Sequence, residues 1–288
     1  MIPFVFTAAD RSTDPADLAA YRAHWQALTG PDTDFGWLDS APAVSYHDMA
    51  HAVCRSLGSA ALSEVDLVIT VAAGPDCRHE SLPGAVLAAR TGNDPLAVGV
   101  SEQGAAGPFT ALRIAAAQLA TGACRRALVL LLEQSTLAPG PAVVRPGRDA
   151  AVALLLGSGT GPALGRAGIT VTGPRAGGTA APRWAGSATA RAAEPEPVHT
   201  VLAGPGLGDL EAAPGVRLVR AEPGLPVTGL WMALARLLAT GDLPAGQVLV
   251  TDRDPVLPYV CDVSLTIAAA DSTDRGGNGR RRHAELVR

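Results

Sequence analysis

Two stretches of this chain repeat one another. ALRIAAAQLATGACRRALVLLLE (111–133) recurs as MALARLLATGDLPAGQVLVTD (232–252), and LATG stands at the matching place in both, at 119–122 and 238–241. In each copy an apolar run of helical spacing ends at a glycine, which suits a left-handed C-cap. A short turn then leads into an apolar strand. Two copies of one helix-turn-strand unit predict a chain built by duplication.

The rest of the chain agrees with that plan. Its 288 residues, 48% hydrophobic and 17% charged, can bury one large core or two fused smaller ones. Short β-rich runs alternate with longer Ala-rich helical stretches, the pattern of a layered α/β fold with a largely parallel, buried sheet. Strands are expected at 3–8, 65–72, 127–132 and 150–156, and helices at 15–28 and 45–57, the second capped by Ser45 or Asp48. AAGPFTALRIAAAQL (105–119) is apolar nearly all round and predicts a helix buried on every face, with Arg113 its one charge. Residues 1–172 then form the first half and 198–270 a shortened second half. The Pro-, Gly-, Ala- and Arg-rich stretch 173–197 is expected to be a linker or mobile loop, and the polar tail 271–288 to be disordered.

Charge and cysteine usage exclude several classes. A net charge of −4, with no basic cluster outside Arg280, Arg281 and Arg282, gives nucleic-acid binding little support. Cys54, Cys77, Cys124 and Cys261 lie far apart without CxxC spacing, so neither a zinc site nor a disulfide framework is indicated. No metal or other cofactor is expected. MIPFVFTAADRSTD lacks a basic n-region and a long apolar core, and the apolar runs are too short to cross a bilayer. A cytoplasmic protein is expected, with no membrane partner.

Three local clusters carry reactive side chains. His47 and His51 share i, i+4 spacing with Asp48 between them, which suits two metal ligands but more simply an exposed helix face. Cys77, His79 and Glu80 hold a nucleophile-and-base pair, or else ordinary loop surface. Cys54, Cys124 and Cys261 sit in apolar contexts and read as small core residues.

Between 45 and 157 the motifs resemble one family. VDLVITVAAGPDCRHESLPGAVLAARTG (65–92), VGVSEQGAAGPFTALRIAAAQLATG (98–122), RALVLLLEQS (126–135) and RPGRDAAVALLLGSG (145–159) resemble, in order, segments of ketoacyl-ACP synthase III and its relatives. In the second half GLPVTGLWMALARLLATGDLPAGQVLV (224–250) resembles that family's Gly-Asn-Thr/Ser helix, turn and strand. The resemblance implies the duplicated α-β-α-β-α thiolase fold, dimeric assembly, and substrates carried on acyl carrier protein or CoA.

It also implies a missing chemistry. Such enzymes hold an acyl group on a cysteine at the start of a buried helix, where the dipole and free amides stabilise thiolate and oxyanion. Gln103-Gly104-Ala105-Ala106-Gly107 places Ala105 at that position. The histidine is expected near Ala203 to Pro205, but His199 precedes the strand. Gly224 or Leu225 stands where the asparagine would be. Glu102, Gln103, Ser101 and His79 are weak substitute candidates, with Gln103, Ser101 and Thr110 more simply structural. Leu82 is the residue that the resemblance projects into a dimer partner's pocket. The expected function is therefore a non-condensing subunit, in the manner of a chain-length factor, paired with an active ketosynthase as a heterodimer, or with itself, in polyketide or fatty-acid-like biosynthesis. The alternatives are an enzyme using the same cleft for acyl transfer, cyclisation or hydrolysis, and a binding protein for acyl thioesters.

Overall fold

Each half of the chain builds a five-stranded sheet. In the first, β1 (Ile2–Phe6), β2 (Leu67–Ala72), β3 (Leu96–Ser101), β4 (Arg126–Glu133) and β5 (Asp149–Gly157) lie in the order β1-β5-β4-β2-β3. In the second, β6 (Ala163–Val171), β7 (Val198–Ala203), β8 (Arg217–Arg220), β9 (Gly246–Arg253) and β10 (Tyr259–Ile267) lie in the order β6-β10-β9-β7-β8. The second order is the first, strand for strand. The senses agree as well. β2 runs parallel to β3 and β4, as β7 does to β8 and β9, whereas β5 and β10 run antiparallel to both neighbours. The computed structural model describes residues 1–78, 82–138, 144–157, 161–171, 197–208 and 210–268.

Strand β6 already belongs to the second sheet. The change from one half to the other thus falls between Gly157 and Ala163, ahead of the boundary expected at 172. The reason is compositional. ALGRAGITV has two glycines and an arginine, so it lacks the apolar pattern of a core strand, yet as the sheet's edge strand it needs only β10 as a partner. The expected linker lies almost wholly, and the expected tail wholly, outside the described residues.

Two inner helices join the sheets. α5 (Gly107–Ala120) packs on β2 and β4 of its own sheet and on β6 and β10 of the other. α6 (Gly229–Thr240) packs on β7 and on β1. Phe109 and Trp231 meet edge to face, with ring centroids 5.3 Å apart, inside one apolar cluster drawn from both sheets. Both LATG glycines follow their helix in the left-handed region, Gly122 at φ 73° and Gly241 at φ 71°, as the repeat predicts. The expectation of burial on every face holds only for the first turns of α5. Arg113, Ala117 and Ala120 lie one turn apart along an exposed line. Alanine carries too little apolar surface to force that line inward.

Helices α1 (Pro15–Thr29), α2 (Gly36–Asp39), α3 (Tyr46–Leu62) and α4 (Pro83–Thr91) belong to the first half. Ser45 caps α3 by accepting the Asp48 amide at 3.1 Å. The helix runs past its expected end and kinks at Gly58, φ 74°. α3 and α4 cover the face of the first sheet opposite α5. Among the described residues after β6, α6 is the only α-helix. β10 accordingly alternates buried Cys261, Val263 and Leu265 with half-exposed Asp262, Ser264 and Thr266. No helix among the described residues is long and apolar enough to cross a membrane.

Candidate active-site cleft

The chain leaves β3 at Ser101, turns through Glu102 at φ 59° and Gly104 at φ 51°, and enters a 3-10 turn over Gly104–Ala106 that runs into α5. Ala105 sits in that turn, 3% exposed. Its N–H donates to Oδ2 of Asp254 at 2.7 Å. Asp254 follows β9, and its Oδ1 accepts the amides of Val256 at 2.9 Å and Leu257 at 2.6 Å. A Cβ on Gly104 would overlap this carboxylate, so the glycine admits it. The orphan amide at the head of α5 is thereby satisfied by an anion from the other half of the chain.

A cavity of about 200 Å³ opens beside Ala105. Its wall includes Pro205 and Gly206 from the end of β7, Gly224 from the loop before α6, and Asp252 and Arg253 from β9. The three places where the resemblance sets cysteine, histidine and asparagine thus meet on one small space. The groups found there are a methyl, a proline ring and a glycine backbone. Leu225 is buried and off the wall, and His199 stands at the far end of β7 against Gly246.

Asp252 is the buried titratable side chain on this wall. A Cβ on Gly204 would overlap its carboxyl group, and its Oδ1 accepts the amides of Gly206 at 3.1 Å and Arg253 at 2.8 Å. Burial, with a smaller contribution from the charge of Asp254, raises its pKa to about 7. Sequence reasoning missed both aspartates. Their signal was there: Asp252-Arg253-Asp254 puts two acids at the mouth of a buried strand.

A second space of about 340 Å³ adjoins the first, walled by Trp25, Gly74, Leu137, Val256 and Leu257. Among the weak candidates, Glu102 is exposed on its rim, whereas Ser101 is exposed and lines neither space. Gln103 makes no cap, and its Oε1 accepts from Thr110 Oγ1 at 2.6 Å. His79 and Glu80 lie outside the described residues. Cys77 is not loop surface. It is fully buried, 3.3 Å from Thr13 Oγ1, and burial pushes its thiol up to about 12. The other three cysteines are free and buried, as expected for core residues. His47 and His51 share a face with Nε2 atoms 3.2 Å apart, and no group of three or more metal-ligating side chains occurs among the described residues. Leu82 stands 71% exposed at the head of α4.

No family model and no curated protein matches the sequence. Solved structures do. The tetronic acid condensing enzyme AbyA1 is 20% identical with TM-score 0.53, over 75% of this chain and 84% of its own. ChlB3, an acyltransferase, is 17% identical with TM-score 0.55, over 92% and 96%. The β-ketoacyl-ACP synthase III of Thermus thermophilus is 15% identical with TM-score 0.53, over 93% and 97%. By this likeness, and with its two five-stranded sheets, this chain has the thiolase-like α/β fold of the ketoacyl-ACP synthase III structures.

Proposed function

We propose that this chain is a non-condensing ketosynthase-like subunit. It pairs with an active ketosynthase and shapes that partner's acyl pocket, in polyketide or fatty-acid-like biosynthesis on acyl carrier protein or CoA in the cytoplasm. One observation carries the reading: the head of α5 presents the methyl group of Ala105, and the amide of that residue is held by Asp254. Condensation needs a nucleophile that can bear the acyl group and free donors for the oxyanion. Neither is on offer at Ala105.

Pairing is supported by the edge of the first sheet. β3 is an outer strand whose Leu96 is 57% exposed, and Leu82 projects at 71% exposure. An open strand edge with exposed leucines calls for a partner. The likeness to a condensing enzyme, an acyltransferase and a synthase III supports an acyl-thioester context. Co-expression with candidate ketosynthases that carry an intact nucleophilic cysteine, followed by light scattering on the purified species, is expected to give a one-to-one complex with one of them. A stable homodimer indifferent to every such partner overturns the proposal.

A further inference from the structure

Asp252 occupies side-chain space that belongs to another residue. Its carboxyl group fills the position of the missing Cβ of Gly204, at the end of β7 where the resemblance sets an imidazole. Both hydrogen bonds that it accepts fall on Oδ1, and among the described residues none falls on Oδ2. Much of the remaining wall is apolar, including Ala105, Val144, Pro205, Pro226 and Pro255, and the amide of Ala105 is already engaged. An apolar space with one or two placed polar groups is the usual form of a small-molecule site.

We propose that Asp252 makes this cavity a non-covalent site for a neutral acyl compound, a thioester or its amide analogue, whose carbonyl oxygen accepts a hydrogen bond from the Asp252 carboxylic acid. The inference rests on the reading of the cleft as a former ketosynthase pocket that keeps that family's class of ligand, and what it adds is the side chain that anchors the ligand there. A buried carboxyl group kept neutral can donate to a carbonyl in the way an acid-form aspartate does in an apolar oxyanion site. A charged ligand is disfavoured, because an ammonium would lose its water shell in so apolar a space.

The groups that face Asp252 are few. Arg253 shares its strand. Asp254 is committed to the amides of Ala105, Val256 and Leu257, and Cys261, its cross-strand partner on β10, has a thiol pushed up to about 12 by burial. Burial holds Asp252 itself near 7, so the acid form predominates at pH 6 and the carboxylate at pH 8.5.

The test is calorimetric titration of the full chain with a hydrolysis-resistant acyl-pantetheine amide at pH 6 and pH 8.5. Binding is expected to be about tenfold tighter at pH 6, the worth of one buried hydrogen bond. Asp252→Asn keeps a donor and is expected to bind equally at both pH values, and Asp252→Leu to lose about tenfold at pH 6. No binding by the unaltered chain, or equal affinity at both pH values, overturns the inference. So does pH dependence that survives in Asp252→Asn, or full loss on Arg253→Met alone. The pH comparison on the unaltered chain stands even where a variant fails to fold. Partner pairing is measured on the same samples: pairing without ligand binding sinks this site alone, and ligand binding without pairing sinks the subunit reading alone.

Discussion

Oδ2 of Asp254 lies 2.7 Å from the backbone nitrogen of Ala105, so the donor at the head of α5 is closed by the chain itself. Restoring a thiol there does not restore a site. Ala105→Cys is expected to take up an acyl group from a thioester very slowly, because the adjacent carboxylate disfavours both thiolate and oxyanion. Adding Asp254→Ala frees the amide and is expected to speed acylation about a hundredfold, the usual worth of one oxyanion donor. Intact-protein mass spectrometry of the single and double variants reads the rate, and the unaltered chain is expected to retain no acyl adduct.

The other inner helix is held in the mirror-image way. Glu133, the last residue of β4, is fully buried and accepts the amides of Val227 at 2.6 Å and Thr228 at 2.8 Å, with the Thr228 hydroxyl donating as well. Burial outweighs these donors and raises its pKa to about 7. In the unfolded chain the group titrates at the ordinary glutamate value. Between the two values the folded state therefore binds the proton that the unfolded state has released. Stability from Glu133 is thus fully present at low pH and lost as pH rises through 7. Glu133→Gln is expected to destabilise by about 1–3 kcal/mol, since an amide cannot serve all three donors. Its cost is expected to be larger at pH 5 than at pH 8, as read by urea unfolding.

On the edge strand β3 the test is charge. Leu96→Lys or Leu82→Asp leaves the core untouched, because both side chains are exposed in the isolated chain. Either is expected to weaken association with a partner subunit at least about tenfold while leaving the melting temperature within a few degrees. Sedimentation of the mixed subunits measures it.

Cys77 separates structural from reactive thiols. With its pKa pushed up to about 12 and a fully buried position, it is expected to resist alkylation by iodoacetamide in the native state and to react only on unfolding. Cys77→Ala is expected to cost of order 1 kcal/mol of stability, through lost packing against Tyr21, Phe35 and Leu38.

Much of the fold was legible because it rests on local chemistry. The LATG glycines gave the helix ends, Ser45 gave the start of α3, and the Leu/Val/Ala runs gave β4 and β5. Strand β6 was illegible because an edge strand in an antiparallel pair needs no distinctive side chains. At the cleft, the run from Gln103 to Gly107 showed a methyl at Ala105, yet nothing local told that the amide of that residue was already engaged. The contact from Asp254 spans 149 positions of sequence, and Asp252 reaches Gly206 across 46. Long-range carboxylate contacts depend on two strand ends converging, which no window of residues contains.

That convergence makes a last prediction about cooperativity. Phe109 at the start of α5 and Trp231 at the start of α6 are 0% and 2% exposed and touch edge to face, so neither half can bury its inner helix without the other. Trp231→Ala and Phe109→Ala are each expected to cost about 3–5 kcal/mol. The double variant is expected to cost less than their sum by about 0.5–1.5 kcal/mol, because the ring pair can be lost only once. Unfolding followed by tryptophan fluorescence and by far-UV circular dichroism is expected to give one coincident transition in every case. Two separated transitions in the unaltered chain would mean that the sheets fold as independent bodies, and that the contact between α5 and α6 is a surface on which they dock.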